Sequence, residues 1–303
     1  MTSLSTTPAL RSRELLYPLG YPVALETGDL RTEALIQKWW GGWPQLVSGE
    51  PLKVAIRQGE IVERAMAFRS DSAGFCLEGA ASAQFDANSL SLQVHTPRLL
   101  SEHFLHTALL AALDFSIFTP LHAACVVRNG LGIVLCGDSG AGKSTLAYAC
   151  ARRGWTLVSD DSLHALPGHG TTIASFSSTI HLRGPVRAMF PELCSEQLGI
   201  APNGKQALTI LPAQRRFQTA RTATVERTIF LSRRSGSPRF SPYDPEAAAR
   251  YFFKYLWQPG LPAHHRRLRE IINSTEVLLF EFEQLDEAID ALEDLLKKEG
   301  VAA

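Results

Sequence analysis

Several features are missing from this chain, and each absence removes a class of function. None of its apolar runs reaches the roughly 20 residues that a membrane-spanning helix needs, so no membrane span is expected. The opening Met-Thr-Ser-Leu-Ser-Thr-Thr-Pro has no basic segment leading into an apolar core. A secretory signal is therefore not read, and a cytoplasmic protein is expected. Neither sign of charge is in excess: 30 Lys+Arg balance 30 Asp+Glu. That balance argues against a nucleic-acid-binding surface as the main business of the chain. Cysteine is sparse and unpatterned. Cys76, Cys125, Cys136, Cys150 and Cys194 are odd in number, widely spaced and without a C-x-x-C pair, the pattern of buried, reduced thiols. No internal repeat appears.

With 303 residues the chain can form one large domain or two, each with a real core. Residues 1 to about 12 are Ser/Thr-rich and expected to fray. Up to about Asp86 the signals are mixed: a short helix over Thr32–Trp40, and strands over Leu52–Ile56 and Gly74–Glu78. This is a small α+β unit without catalytic spacing. Trp39, Trp40 and Trp43 beside a Gly-Gly turn form either a local hydrophobic cluster or a binding face. Helical spacing of Leu99, Leu100, Phe104, Leu105, Leu109, Leu110 and Leu113 predicts a helix from Pro97 to Phe118. It is read as linking residues 1–100 to a second unit over 121–303.

The second unit is organised around Gly137-Asp138-Ser139-Gly140-Ala141-Gly142-Lys143-Ser144. This fits G-x-x-x-x-G-K-[ST], the phosphate-binding loop. Glycines at 137, 140 and 142 permit positive φ, so that several amide N–H groups can converge on one phosphate. Lys143 adds a mobile charge for the β/γ-phosphates, and the Ser144 hydroxyl can bind Mg²⁺. Without ligand, the Lys143 side chain is expected in solvent. The flanks suit the motif. Leu131–Cys136 reads as a buried strand, and Ser144–Arg153 as a helix stopped by Gly154. The helix N-terminus then lies under the phosphates.

Upstream, His122–Val127 reads as a strand joined to Leu131–Cys136 by the hairpin dipeptide Asn129-Gly130. The two are predicted to be antiparallel neighbours, unlike the parallel setting of an ordinary phosphate-loop ATPase. Downstream, Trp155–Ser159 reads as a strand ending in Asp160-Asp161. A carboxylate at a strand end beside a phosphate loop suits a metal ligand or a base; a turn or cap is the other reading. Arg183-Gly184 can offer a guanidinium to a phosphoryl group. Further on come the strand Thr228–Leu231, the basic pair Arg233-Arg234, a Gly/Ser/Pro-rich connection to Pro242, and a helix capped by Asp244 and running to about Trp257. A basic helix over Ala263–Asn273, the strand Val277–Phe282 and an amphipathic helix over Leu285–Lys298 complete the chain. The charge run on the basic helix is either a solvated face or a phosphate-facing one.

Together, His122, the loop ending in Lys143-Ser144, Asp160-Asp161 and Arg183-Gly184 resemble the catalytic domain of the HPr kinase/phosphorylase family. His122 stands 21 residues before Lys143, and the Asp pair 17 and 18 after it. Arg153-Gly154-Trp-Thr-Leu-Val-Ser-Asp-Asp matches that family's Arg-Gly-x-x-Leu-Val-x-Asp-Asp. The loop and Asp pair are also similar to those of phosphoenolpyruvate carboxykinase. The resemblance covers about residues 120–190. It implies an α/β fold with a mixed sheet and a smaller α+β unit in front. It also implies an ATP- and Mg²⁺-dependent kinase acting on a hydroxyl, of serine type, in a protein or peptide acceptor, HPr-like or a ribosomal peptide. Under it, Asp161 is the base, Asp160 its alternate or a metal partner, and His122 the orienting group. Gly137 through Thr145 and Arg183 hold the nucleotide, and Ser144 and Asp161 hold the metal. Residues 1–100 would choose the acceptor, and a homo-oligomer is expected, with no nucleic-acid or membrane partner.

The chain departs from the family twice. His181 stands where the family has a Glu two residues before Arg-Gly, a Mg²⁺ ligand there. The Pro-Val-Arg-Pro-Gly-Arg segment tied to phosphorylase activity has no counterpart, so phosphorylase activity is not expected. Two other readings stay open: a regulatory module that binds ATP without transfer, and a small-molecule or carboxykinase-like enzyme.

Overall fold

The structure, a computed structural model, describes residues 11–28, 30–58, 67–71, 73–78, 81–94, 102–176, 179–200, 205–256 and 261–297. The chain divides into two compact units, Met1–Ile117 and Phe118–Ala303.

Among the described residues the first unit holds seven strands: β1 (Arg11–Leu16), β2 (Val23–Thr27), β3 (Leu52–Gln58), β4 (Ala67–Ser70), β5 (Gly74–Glu78), β6 (Ala81–Asp86) and β7 (Ser89–Val94). They form one sheet in the order β1-β2-β3-β7-β6-β5-β4, parallel at β2–β3 and β3–β7 and antiparallel elsewhere. Alternation in β3 buries Leu52, Val54 and Ile56 on one face. Helices α1 (Leu30–Trp40) and α2 (Glu102–Ser116) complete the unit. Trp40 and Trp43 are buried, which makes the tryptophan group a hydrophobic cluster rather than a binding face. Helix α2 covers most of the stretch read as a linking helix. Phe115 of α2 packs its ring 5.4 Å from Phe85 and 6.2 Å from Phe75, so the helix belongs to the first unit. Residues 97–101 of the predicted helix lie outside the described residues.

The second unit contains β8 (Thr119–His122), β9 (Ala124–Arg128), β10 (Leu131–Cys136), α3 (Lys143–Arg152), β11 (Thr156–Ser159), β12 (Ser162–Ala165) and β13 (Thr172–Ala174). There follow β14 (Ile180–Leu182), β15 (Leu198–Ile200), β16 (Gln206–Ile210), β17 (Thr222–Arg233), β18 (Arg239–Pro242), α4 (Pro245–Phe253), α5 (Pro262–Asn273), β19 (Glu276–Phe282) and α6 (Leu285–Lys297). Among the described residues nine strands make the main sheet, in the order β11-β9-β10-β17-β13-β12-β8, with β19 beside β17 and β18 beside β19. Strands β14, β16 and β15 form a small separate sheet.

The main sheet is buried on both faces, which explains the unbroken apolar run of β10. Ile133 and Leu135 pack into a core with α3, α6 and the small sheet. Val134 and Cys136 pack into a second core with α4 and α5. The β9–β10 hairpin forms as predicted, with positive φ at Asn129 and Gly130. Asp244 caps α4, its carboxylate accepting from the N–H groups of Glu246 and Ala247. On α5, Arg269 pairs with Glu246 and Arg267 with Glu270 and the Leu166 carbonyl, so those charges are used locally.

Three expectations change. Strand β10 does have a parallel neighbour: β17 lies on its other side, with Cys136 opposite Phe230. The His122–Val127 strand is broken at Ala123, whose N–H donates to the Asp161 carbonyl at 3.0 Å. His122 therefore ends β8, opposite Ser162 of β12, while β9 alone pairs with β10. The Gly/Ser/Pro-rich connection contains β18, anchored by Phe240 stacked 4.2 Å from Phe280. Four residues with one inward ring are too short a pattern to register as a strand.

Strands β10 and β17 meet at Gly132, where a Cβ would lie 2.3 Å from the Thr224 carbonyl oxygen. That oxygen is backbone and cannot yield without breaking the pairing. Gly132→Ala is expected to destabilise the second unit by about 1–3 kcal/mol, the range of diagnosable single-site effects, measured by urea unfolding.

Candidate active site

The sheet carries the glycine loop at the C-terminal end of β10, where α/β sheets place their crevices. Gly137, Gly140 and Gly142 have φ of 141°, 93° and 103°, the positive values that glycine adopts freely. A Cβ at Gly137 would lie 2.8 Å from the Ala141 Cβ, so the loop closes on itself only with hydrogen there. Gly142 is the N-cap of α3. Asp138, Ser139 and Gly140 form the exposed rim, and Thr145 is half-buried in the first helical turn.

Lys143 is not in solvent. Its side chain is buried, and Nζ donates to the Gly137 carbonyl at 2.7 Å. The loop folds back over its own lysine, and that carbonyl gives the buried ammonium an acceptor. Burial lowers the Lys143 pKa, and the nearby Asp161 charge opposes the shift. Tyr251 of α4 clamps the same place. Its hydroxyl donates to the Gly137 carbonyl at 2.7 Å and lies 3.2 Å from both the Gly137 N–H and the His122 carbonyl. Spacing along the chain gave no hint of Tyr251, because it acts from 114 residues away.

The two aspartates have opposite environments. Asp160 is buried; its Oδ2 accepts from the His181 backbone N–H at 2.8 Å, and its carbonyl lies 3.4 Å from Ser144 Oγ. Burial raises its pKa to about 7, and the bond from His181 counters part of the rise. Asp161 has 58% of its side chain exposed, and its Oδ1 lies 3.2 Å from His122 Nδ1. The His122 pKa is lowered by burial; Asp161 works against that and Lys143 reinforces it. A neutral imidazole donating from Nδ1 to Asp161 keeps Nε2 as an acceptor. The ring of Tyr255 lies 4.6 Å from that of His122 and backs it. Arg183 reaches the loop from the other side, Nη2 donating to Ser139 Oγ at 2.9 Å.

The fold thus gathers His122, Lys143, Ser144, Asp160, Asp161 and Arg183 around one mouth. The buried cysteines are not part of the chemistry: burial pushes the Cys125, Cys136 and Cys150 thiols up, away from the reactive thiolate. Cys194 departs from the buried-thiol reading, since it is exposed. Among the described residues no group of three or more His, Cys, Asp or Glu could hold a metal alone. The donors present, a serine hydroxyl and one exposed carboxylate, fit Mg²⁺ shared with substrate phosphates, the usual way that ion is held.

No protein-family profile matches the chain. An HPr kinase/phosphorylase of Clostridium botulinum (strain Eklund 17B / Type B) is 36% identical over 80 residues, 26% of this chain and 25% of that protein. Its counterpart in Halalkalibacterium halodurans is 39% identical over 59 residues, 20% of this chain and 19% of that protein. HPr kinase/phosphorylase 1 of Oceanobacillus iheyensis is 41% identical over 49 residues, 16% of each. A segment of this chain is thus similar to part of these HPr kinase/phosphorylases. It spans a quarter or less of the length of these curated relatives. Among solved structures, the Hpr(Ser) kinase/phosphatase from Coxiella burnetii is 14% identical, with a TM-score of 0.35 over 60% of this chain and 97% of that one. That likeness is too loose to bear on the site. Where the HPr kinase pattern has its Glu, the backbone of His181 serves to hold Asp160. Among the described residues no helix is long and apolar enough to cross a membrane.

Asp160 gives the site a pH signature. Its ordinary pKa of 3.8 rises to about 7 on folding, so the folded state binds the proton more tightly than the unfolded chain. Its contribution to stability is therefore greatest below about pH 4 and is lost as pH rises to about 7. Asp160→Asn removes the titrating group. The stability of the variant relative to wild type should climb between pH 4 and 7 and level off above, read by urea unfolding across pH. A difference independent of pH would refute the assignment.

Proposed function

We propose that the second unit is an ATP- and Mg²⁺-dependent kinase that phosphorylates a hydroxyl, of serine type, in a protein or peptide acceptor. The observation that carries this reading is the His122–Asp161 pair, 3.2 Å apart, facing a glycine loop with its own lysine. Phosphoryl transfer asks the protein mainly for positioning and charge neutralisation. The loop amides and Lys143 take the phosphates, Lys143 leaving the Gly137 carbonyl to do so. That carbonyl keeps its bond from Tyr251, so the exchange leaves no acceptor bare. Arg183 adds charge at the Ser139 side. The acceptor hydroxyl gives its proton to Asp161 as its oxygen bonds to the γ-phosphorus and the bond to the ADP oxygen breaks. His122 holds Asp161 in place from Nδ1. Mg²⁺, with Ser144 and Asp161 as protein ligands, would neutralise phosphate charge.

Asp161 suits the base role better than Asp160, because it faces the mouth while Asp160 is buried and bonded to backbone. The first unit, through residues 1–100, selects the acceptor, and the protein acts as a homo-oligomer. HPr appears in the names of the curated relatives and is therefore one acceptor to test beside serine peptides. A module that binds ATP without transfer is the second reading, favoured by His181 at the family's Glu position.

Labelled γ-phosphate should pass from ATP to a seryl hydroxyl in a panel of HPr, peptides and free amino acids. Nucleotide binding with no transfer to any of them would favour the binding module; transfer to a free amino acid would mark a small-molecule kinase. ATP–Mg²⁺ at a hundredfold excess over Kd should stabilise the wild type by about 2.7 kcal/mol. Lys143→Ala should lose that stabilisation and the transfer while melting near wild type without nucleotide, because Tyr251 still satisfies the Gly137 carbonyl. Asp161→Asn should lower kcat roughly 10²–10⁴-fold, the size of a general-base contribution. Wild-type turnover in Asp161→Asn would remove Asp161 from the mechanism.

A further inference from the structure

Arginines in the second unit mostly face carboxylates. Arg234 and Arg239 share Glu281, Arg227 meets Glu276, and Arg153 meets Asp286 and Asp290. Among the described residues no carboxylate pairs with Arg233. The neighbouring Glu283 carboxylate is turned to the N–H of Gly236 instead.

Arg233 is nonetheless held firmly. Its guanidinium lies over the Phe282 ring, 4.5 Å from the centroid, and Nη1 donates to the Glu283 carbonyl at 2.7 Å. Those two contacts fix the plane of the group and occupy one corner of it. The opposite edge, Nε and Nη2, faces the last glycine of the loop: a Cβ at Gly142 would lie 3.6 Å and 3.5 Å from those atoms. This edge is the fork with which arginine grips phosphate through two parallel hydrogen bonds. The topology explains how it gets there. Strand β17 runs parallel to β10, Phe230 opposite Cys136, so Arg233 at the end of β17 reaches the same sheet edge as the loop that follows β10. Arg233 is exposed, and among the described residues it remains a cation without a carboxylate partner.

We propose that Arg233 is a further phosphate ligand of the nucleotide site. It closes its Nε/Nη2 edge on the phosphate chain from the Gly142 side, opposite Arg183 at Ser139. The inference rests on the reading of this loop as a nucleotide site. A purely structural role accounts for the stack on Phe282 and the bond to Glu283, but it leaves the better half of the fork aimed at the loop without use. Gly142 contributes by having no side chain to fill the gap.

The test measures ATP–Mg²⁺ and ADP–Mg²⁺ affinity by calorimetry for the full-length wild type, Arg233→Gln and Arg233→Lys. Arg233→Gln should weaken both nucleotides tenfold or more, and Arg233→Lys severalfold, since a lysine keeps the charge and loses the fork. Both losses should shrink at high salt. Equal affinity in wild type and Arg233→Gln, with the variant melting near wild type, would overturn the inference and leave the nucleotide site standing. If Arg233→Gln does not fold, Arg233→Lys decides, wild-type affinity again counting against the proposal. A wild-type protein that binds neither nucleotide would instead end the nucleotide reading itself, and this inference with it.

Discussion

One carbonyl oxygen organises the second unit. The Gly137 C=O, at the point where β10 stops being a strand, accepts from both Tyr251 and Lys143. The first bond ties the loop to α4 on one face of the sheet, and the second folds the lysine under the loop. Because Tyr251 also reaches the His122 carbonyl, the end of β8 is tied to the same place. An unsatisfied buried carbonyl is costly, so the loop conformation and the approach of α4 to the sheet stand or fall together.

A second constraint fixes the acidic groups. The break at Ala123 turns β8 away from β9, and the N–H freed there bonds to the Asp161 carbonyl. Backbone alone thereby sets the distance between His122 and Asp161 before their side chains meet. Their neighbour Asp160 points inward and is held by the His181 N–H. Burial, partly countered by that bond, raises the Asp160 pKa. Asp161 stays exposed beside His122, while Asp160 is buried and bonded to backbone.

Much of this was legible in the sequence where the signal is local. The loop, the β9–β10 hairpin, α3 with Gly154 after it, the Asp244 cap and α6 all follow from residues a few positions apart. The candidate site residues could be named from the sequence for the same reason, since His122, Lys143, Asp160 and Asp161 lie within about forty residues of each other. What escaped depends on distant pairing. That β10 has a parallel partner, that β8 and β9 separate at Ala123, and that Tyr251 and Arg233 face the loop are settled by strand order, which periodicity does not encode. Lys143 was misplaced for a related reason. Its motif tells which ligand it suits, but not that the side chain rests on a carbonyl of the loop itself.

The parallel register of β10 with β17 also bears on how the protein comes to be folded. Gly132 must find Val225, and β17 must in turn find β19 still later in the chain. Closing so long a connection is entropically slow compared with forming the β9–β10 hairpin or α3. During synthesis the glycine loop therefore leaves the ribosome well before the strand that supports its far side. Tyr251, whose hydroxyl holds the Gly137 carbonyl, lies later in the chain than β17, so the loop draws its supports from residues made long after it.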